Sequence, residues 1–412
     1  MITIRTLIQS TALTVAVSGA AAAQDMKAEV LHWWTSGGES AAVKVFADAF
    51  TADGGEWIDT AIAVGENARA AGINRIVGGE PPTVMQFNTG KQFDELVSEG
   101  MLRDLEDIAA DGQWRENLPE VIIDATVRDG KFYAVPVNIH GQNWIWYNTK
   151  VLADAGIEPP TSIGDIIAAG PKLQEAGIIP LALGGQSWQE ALTLNAVMLA
   201  EGGPELYMAV HGENDIEAIR SDGFRKVAET YGALRDLVDE GSPGRSWNDA
   251  TSMVITGKAA MQIMGDWAKG EFIAAGLTPG KEYGCAVPSK ENGYVLGGDV
   301  FVFPIVEDPV HLAGQTAVAR LMMSPEVQIA FNEKKGSVPV LLNVDVSAMD
   351  ACAQEGMAIM QDAAKQIPSD NYVSTPDMVG ARRDAVTQFW NNKDMSVDEF
   401  IENYVAATES AG

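Results

Sequence analysis

The 412-residue chain carries 28 basic and 57 acidic side chains, a formal net charge of −29. Such a surface repels phosphate backbones and anionic headgroups, so nucleic acid and membrane adhesion are excluded as expected partners. No segment reaches the ~18 uninterrupted apolar residues of a membrane span, and a protein that is not membrane-embedded is expected.

In chain order, residues 1–23 read as a secretory signal peptide. Arg5 supplies the positive start, Ala12 to Val17 the apolar centre, and Ala21-Ala22-Ala23 a small-residue cleavage site before Gln24. Glu29 to Trp34 reads as a first strand. From Glu39 the apolar residues Val43, Phe46, Ala47 and Phe50 follow helical spacing. Thr35-Ser36-Gly37-Gly38 forms the turn between them. Open α/β sheets bind ligands beyond the carboxyl ends of their strands, at helix N-termini. Trp33, Trp34 and Glu39 therefore fall where a crevice is expected.

Thr83 to Phe87 reads as a second buried strand, Phe132 to Ile139 and Trp144 to Tyr147 as further ones. Asn148 caps a helix ending at Gly156. Pro159-Pro160 breaks the chain, and Ser162 with Asp165 starts the next helix as S-x-x-D. After Leu181 to Gly185 the chain is mostly helical through Arg220 to Asp239, and extended character returns from Tyr294 to Pro304. Alternating apolar strands and helices make the fold class α/β. No linker or composition break appears, which suits two lobes joined by several crossings.

The only cysteines, Cys285 and Cys352, are compatible with a disulfide or with two buried thiols. The histidines are scattered, so no metal site is expected, and no cofactor is expected either.

Several motifs carry a resemblance. Trp146-Tyr147-Asn148 runs through Leu152, Ala155-Gly156-Ile157 and Pro160, and Lys172-Leu173 leads to Pro180-Leu181-Ala182-Leu183-Gly184. Gly257-Lys258-Ala259-Ala260-Met261 leads to Gly265-Asp266-Trp267; Gly100 to Leu105 and Lys335-Gly336-Ser337-Val338-Pro339 are shorter. In this order they resemble the family 1 extracellular solute-binding proteins, in particular the glucose-binding branch. The resemblance implies a two-lobed periplasmic binding fold with a hinge and an interlobe cleft. It also implies a sugar ligand, an inner-membrane ABC importer whose permease subunits dock the closed protein, and a monomer. The lobes are expected at 24–137 plus about 292–340, and at 138–291 plus about 341–412.

A sugar needs flat rings against its C–H faces and charged or amide groups toward its hydroxyls. By resemblance Trp34 lies at the ligand, with Trp33 beside it, and Glu39 stands where relatives place a binding acid; alone, Glu39 reads equally as a helix-start carboxylate. Gln86 and Asn88 end the second strand, and Asn88 replaces the family's His or Lys. His140 reads as a structural histidine or a ligand contact. Trp247 and Trp267 match aromatics that wall the cleft, Asp299 a ligand-binding acid, and Lys335 a hydroxyl-binding lysine. Tyr372 stands where relatives carry a histidine, which leaves sugar binding intact and glucose identity open. The alternatives are a secreted glycoside hydrolase and a binder of another solute, such as a polyamine or iron, on the same fold. No catalytic signature of the hydrolase classes is present, and Lys335 opposes a cationic ligand.

Overall fold

A computed structural model describes residues 26–412; the expected signal peptide lies outside the described residues. Fourteen strands occur among them. They are β1 (Lys27–His32), β2 (Glu56–Ala61), β3 (Val84–Asn88), β4 (Val127–Arg128), β5 (Lys131–Phe132), β6 (Ala134–Pro136), β7 (His140–Gly141), β8 (Trp144–Asn148), β9 (Ile179–Leu181), β10 (Ala259–Met264), β11 (Tyr283–Ala286), β12 (Tyr294–Gly297), β13 (Asp299–Val302) and β14 (Gln366–Pro368). A five-stranded sheet in the order β2-β1-β3-β13-β6 and a four-stranded sheet in the order β11-β8-β10-β9 are the cores of two α/β lobes. A three-stranded sheet, β14-β12-β7, joins them.

The strands at the centres of these sheets are short and buried throughout, as β10 (AAMQIM) and β13 (DVFV) show. Covered on both faces, they cannot alternate polar and apolar residues. Helix starts follow capping chemistry: Ser36 with Glu39, and Ser162 with Asp165, form reciprocal capping boxes, while Asn148 accepts from the Val151 N–H.

Three expected strands are corrected. Strand β1 ends at His32, so Trp33 and Trp34 lie just past it rather than on it. The stretch Phe132–Ile139 breaks up because Pro136 has no N–H to donate and closes β6, the edge of its sheet. Tyr294–Pro304 splits at Gly298, with β12 in the joining sheet and β13 in the five-stranded one. A Cβ on Gly298 would lie 2.6 Å from the Asn138 carbonyl oxygen, so only glycine lets these two crossing segments touch. Strand β2 (EWIDTA) was not read from the sequence; as a half-exposed edge strand it carries no continuous apolar run.

The cysteine question is settled by proximity. Cys285 in β11 is bonded to Cys352 at the start of helix Ala351–Met360, with Cα atoms 6.1 Å apart.

Candidate functional site

Between the two large sheets lies a cavity of about 210 Å³. Trp33, Trp34, Glu39, Asn88, His140, Trp247, Trp267, Asp299 and Lys335 all line it, drawn from segments about 300 residues apart.

Local geometry explains each placement. Lys335 is the last residue of helix Pro325–Lys335, which ends because Gly336 adopts φ +88°, the left-handed stop. The lysine Nζ sits 3.3 Å from Glu39 Oε1, 5.5 Å from the Trp34 ring and 5.9 Å from the Trp267 ring. Trp267 stands at the start of helix Ala268–Ala274, and its ring packs against Gly265, where a Cβ would come within 2.1 Å of it. Trp247 opens helix Trp247–Ile255 behind the Ser246 cap. Both indoles are half-buried, as a ring that stacks on a ligand must be.

Asp299 begins β13, directly opposite Asn88 of β3. It is 3 % exposed and accepts from four groups: Gln86 Nε2 at 3.1 Å, Asn88 Nδ2 at 3.3 Å, Asn138 Nδ2 at 2.9 Å and His140 Nε2 at 3.0 Å. A carboxylate has about four lone-pair positions, so this one is already full. A ligand hydroxyl could displace only the longest contact, Asn88. Burial pushes the Asp299 pKa up, but the hydrogen bond and charge of His140, with the charge of Lys335 and the Asn138 amide, together outweigh it, and the group ends below its ordinary value. His140 is bonded to Asp266 on its other nitrogen; burial pulls it down, the two carboxylates prevail, and its pKa ends raised. Thus His140 is structural and lines the cavity at once. Lys335 differs, since Glu39 takes one of its three donors and the others face the indoles.

Glu39 likewise serves two ends, bonding Ser36 as a capping carboxylate and pairing with Lys335. Trp34 is 1 % exposed, wedged between Phe301 and Phe331, and its Nε1 has no partner. It gives the cavity an edge, whereas Trp33, half-buried and under the Arg69 guanidinium at 5.4 Å, offers the more open ring. Two expected residues do not line the cavity. Gln86 is wholly buried, bridging the Trp33 N–H and Asp299 from behind. The Tyr372 hydroxyl is buried, and burial pushes its pKa up to about 12 although Thr89 beside it pulls the other way; its neighbours Asp370 and Asn371 reach the cavity instead.

Other lining residues were not anticipated, among them Trp188, Arg69, Asn195 and Arg383. Trp188 follows the strand-to-helix turn Gly184-Gly185-Gln186-Ser187, the same context that flagged Trp33 and Trp34, and could have been found by it. It lies 6.2 Å from Trp267. The arginines and Asn195 sit within helices, where sequence gives no such signal.

The two lobes touch beside this cavity. Gly38, in the first turn of helix Gly37–Ala52, donates its N–H to Glu271 Oε1 at 2.7 Å, and a Cβ there would lie 2.6 Å from the Gly270 carbonyl carbon.

Comparison with known proteins is consistent with this geometry. A "Probable sugar-binding periplasmic protein" of Mesorhizobium japonicum is 36% identical over 99% of this chain and 100% of its own length. Among solved structures, a chitin oligosaccharide binding protein superposes with TM-score 0.77 at 18% identity, covering 93% of this chain and 98% of that one. The solute receptor AcbH, described as having an exclusive preference for β-D-galactopyranose, gives TM-score 0.77 at 18% identity over 94% of this chain and 97% of its own. The profile of the bacterial extracellular solute-binding proteins matches residues 33–328, from the first cavity tryptophan to the helix that delivers Lys335, and the chain belongs to that family.

Proposed function

We propose that this chain is the periplasmic sugar-binding component of an ABC importer, that it is a binder rather than an enzyme, and that its ligand is a glucose-like monosaccharide held in the 210 Å³ cavity. The observation that carries the reading is the convergence of Trp34, Trp267, Asp299 and Lys335 on one space, with Trp33, Trp188 and Trp247 around them. Indole faces suit the C–H faces of a pyranose, and the spare Lys335 donors and the Asn88 amide suit its hydroxyls. The volume is below the ~300–1,000 Å³ of pockets that take drug-sized ligands, which favours one ring over a long oligosaccharide. In this reading residues 1–23 direct export, and the chain crosses between lobes near 137–139, at 298 and near 336–340.

A sugar touching both lobes gains more contacts when they close, and so shifts the population to the closed form that an importer reads. The test is a thermal-shift screen of the mature protein against mono- and disaccharides. At ~100 times its dissociation constant a true ligand adds about 2.7 kcal/mol of apparent stability. The sugar must also be recovered unchanged after prolonged incubation; newly formed reducing ends would make the protein a hydrolase instead.

Closure gives a further prediction. Gly38→Ala sets a methyl against the Gly270 backbone, which cannot yield as a flexible side chain can. Overpacking of this kind costs ~1–3 kcal/mol, and it falls on any form in which these two helices meet. If the contact forms on closure, titration calorimetry should show affinity reduced by about 10-fold or more, with the unliganded melting temperature falling less than that of the liganded protein. Undiminished affinity would mean that the ligand does not need this contact.

A further inference from the structure

We infer that the sugar bears an anionic group, a carboxylate or phosphate, received by Arg69 and Arg383 at the end of the cavity that Trp33 walls. The inference rests on the sugar-binding reading and narrows its substrate class.

Arg69 lies on helix Gly65–Val77 and Arg383 on helix Pro376–Asn391, so the pair approaches from two separate elements. Their side chains are 15% and 18% exposed, and both line the cavity. The one carboxylate between them is Glu66, and both lean on the same oxygen, Oε1, at 3.4 and 3.5 Å. Charge-assisted bonds settle near ~2.7–2.9 Å, so neither contact is a full one. Each guanidinium has five N–H donors. Beyond Glu66, Arg69 reaches only Asn88 Oδ1, at 3.3 Å, and the buried Nε of Arg383 has no partner. Burial, together with the like charge of Arg383, holds the Arg69 pKa below its ordinary value, while Glu66 opposes the shift.

The other carboxylates of the cavity are committed elsewhere. Glu39 is held by Lys335 and its own helix cap, and Asp299 is filled by four donors. Asp370 accepts from Asn195 and from the Asn371 N–H. Two cations sharing one half-exposed acid leave an excess positive charge at this end. The chain's net charge of −29 repels anions at long range, but salt screens that field beyond ~8–10 Å, and inside the cavity the local pair decides. A planar carboxylate or a phosphate matches the guanidinium fork, which a neutral hydroxyl engages less strongly.

The experiment is competition calorimetry on the wild-type mature protein at low salt with matched probes: D-glucose, D-glucuronate and D-glucose 6-phosphate, and D-galactose with D-galacturonate. The expected result is an acidic member binding about 10-fold or more tighter than its neutral parent, the preference shrinking as salt rises. A tighter uronate identifies the carboxylate, and a tighter sugar phosphate identifies the phosphate. In Arg383→Gln and in Arg69→Gln the acid-over-neutral ratio should fall to within about 3-fold, with unliganded melting curves reporting whether each variant is folded. A neutral sugar binding as tightly as its acidic forms overturns this inference and leaves the sugar reading intact. Silence from every neutral and acidic sugar overturns both.

Discussion

Replacing Asp299 by asparagine should lower the stability of the unliganded protein by about 3–5 kcal/mol, the usual consequence of removing one partner from a buried charge pair. The carboxylate accepts from four groups at 2.9–3.3 Å. An asparagine in its place turns one oxygen into a donor facing donors, and leaves His140 and Lys335 with less negative charge. The pH dependence distinguishes this charge network from a simple packing defect. The Asp299 pKa is lowered in the fold, so its contribution is present above the ordinary carboxylate value of 3.8 and is lost as pH falls through the depressed value. The His140 pKa is raised, so its contribution is complete below the ordinary imidazole value of 6.5 and is lost as pH climbs through the elevated one. The difference between wild type and Asp299→Asn should therefore be greatest between those two limits and narrow on both sides. Urea unfolding at a series of pH values measures it. A loss below about 1 kcal/mol, flat with pH, would show that the buried network contributes little. Sugar affinity should fall as well, because Asn88 and His140 are held in place by this carboxylate.

The second large effect is expected from the disulfide. Cys285 and Cys352 close a loop across 67 residues, for which the chain-entropy account gives about 4 kcal/mol of stabilisation. The Cys285→Ala/Cys352→Ala double variant should unfold at correspondingly lower urea, and wild type with reductant should approach it. Neither cysteine lines the cavity, so sugar affinity should hold in the variant as long as it is folded. A double variant as stable as wild type would mean that Lys269, buried and paired with Asp350 at 2.7 Å, already fastens this part of the chain.

Some of the site was legible because its residues sit at sequence positions with a physical signature. Trp33 and Glu39 flank a strand-to-helix turn, whereas Asp299 and Lys335 were marked by the family motifs around them. The turn after β1 is a chain reversal, where side chains face the open end of a sheet. The arginines gave no such mark, since a cation in the middle of a helix reads as a solvated face. Gln86 and Tyr372 do not line the cavity: a strand's period puts Gln86 and Asn88 on one face, but does not say how far along that face the opening begins. On β3, Gln86 stays behind Asp299 while Asn88, two residues on, reaches the cavity.

By itself the sequence determined the alternation of apolar strands with capped helices, and hence the α/β class, because capping and hydrophobic period act over a few residues. It also held the family motifs, whose order along the chain is a one-dimensional property. Tertiary structure alone decided which carboxylates are free and which are saturated, whether two cysteines meet, and which cations share a counterion. Those outcomes depend on segments hundreds of residues apart converging within about 3 Å, a distance no local pattern encodes.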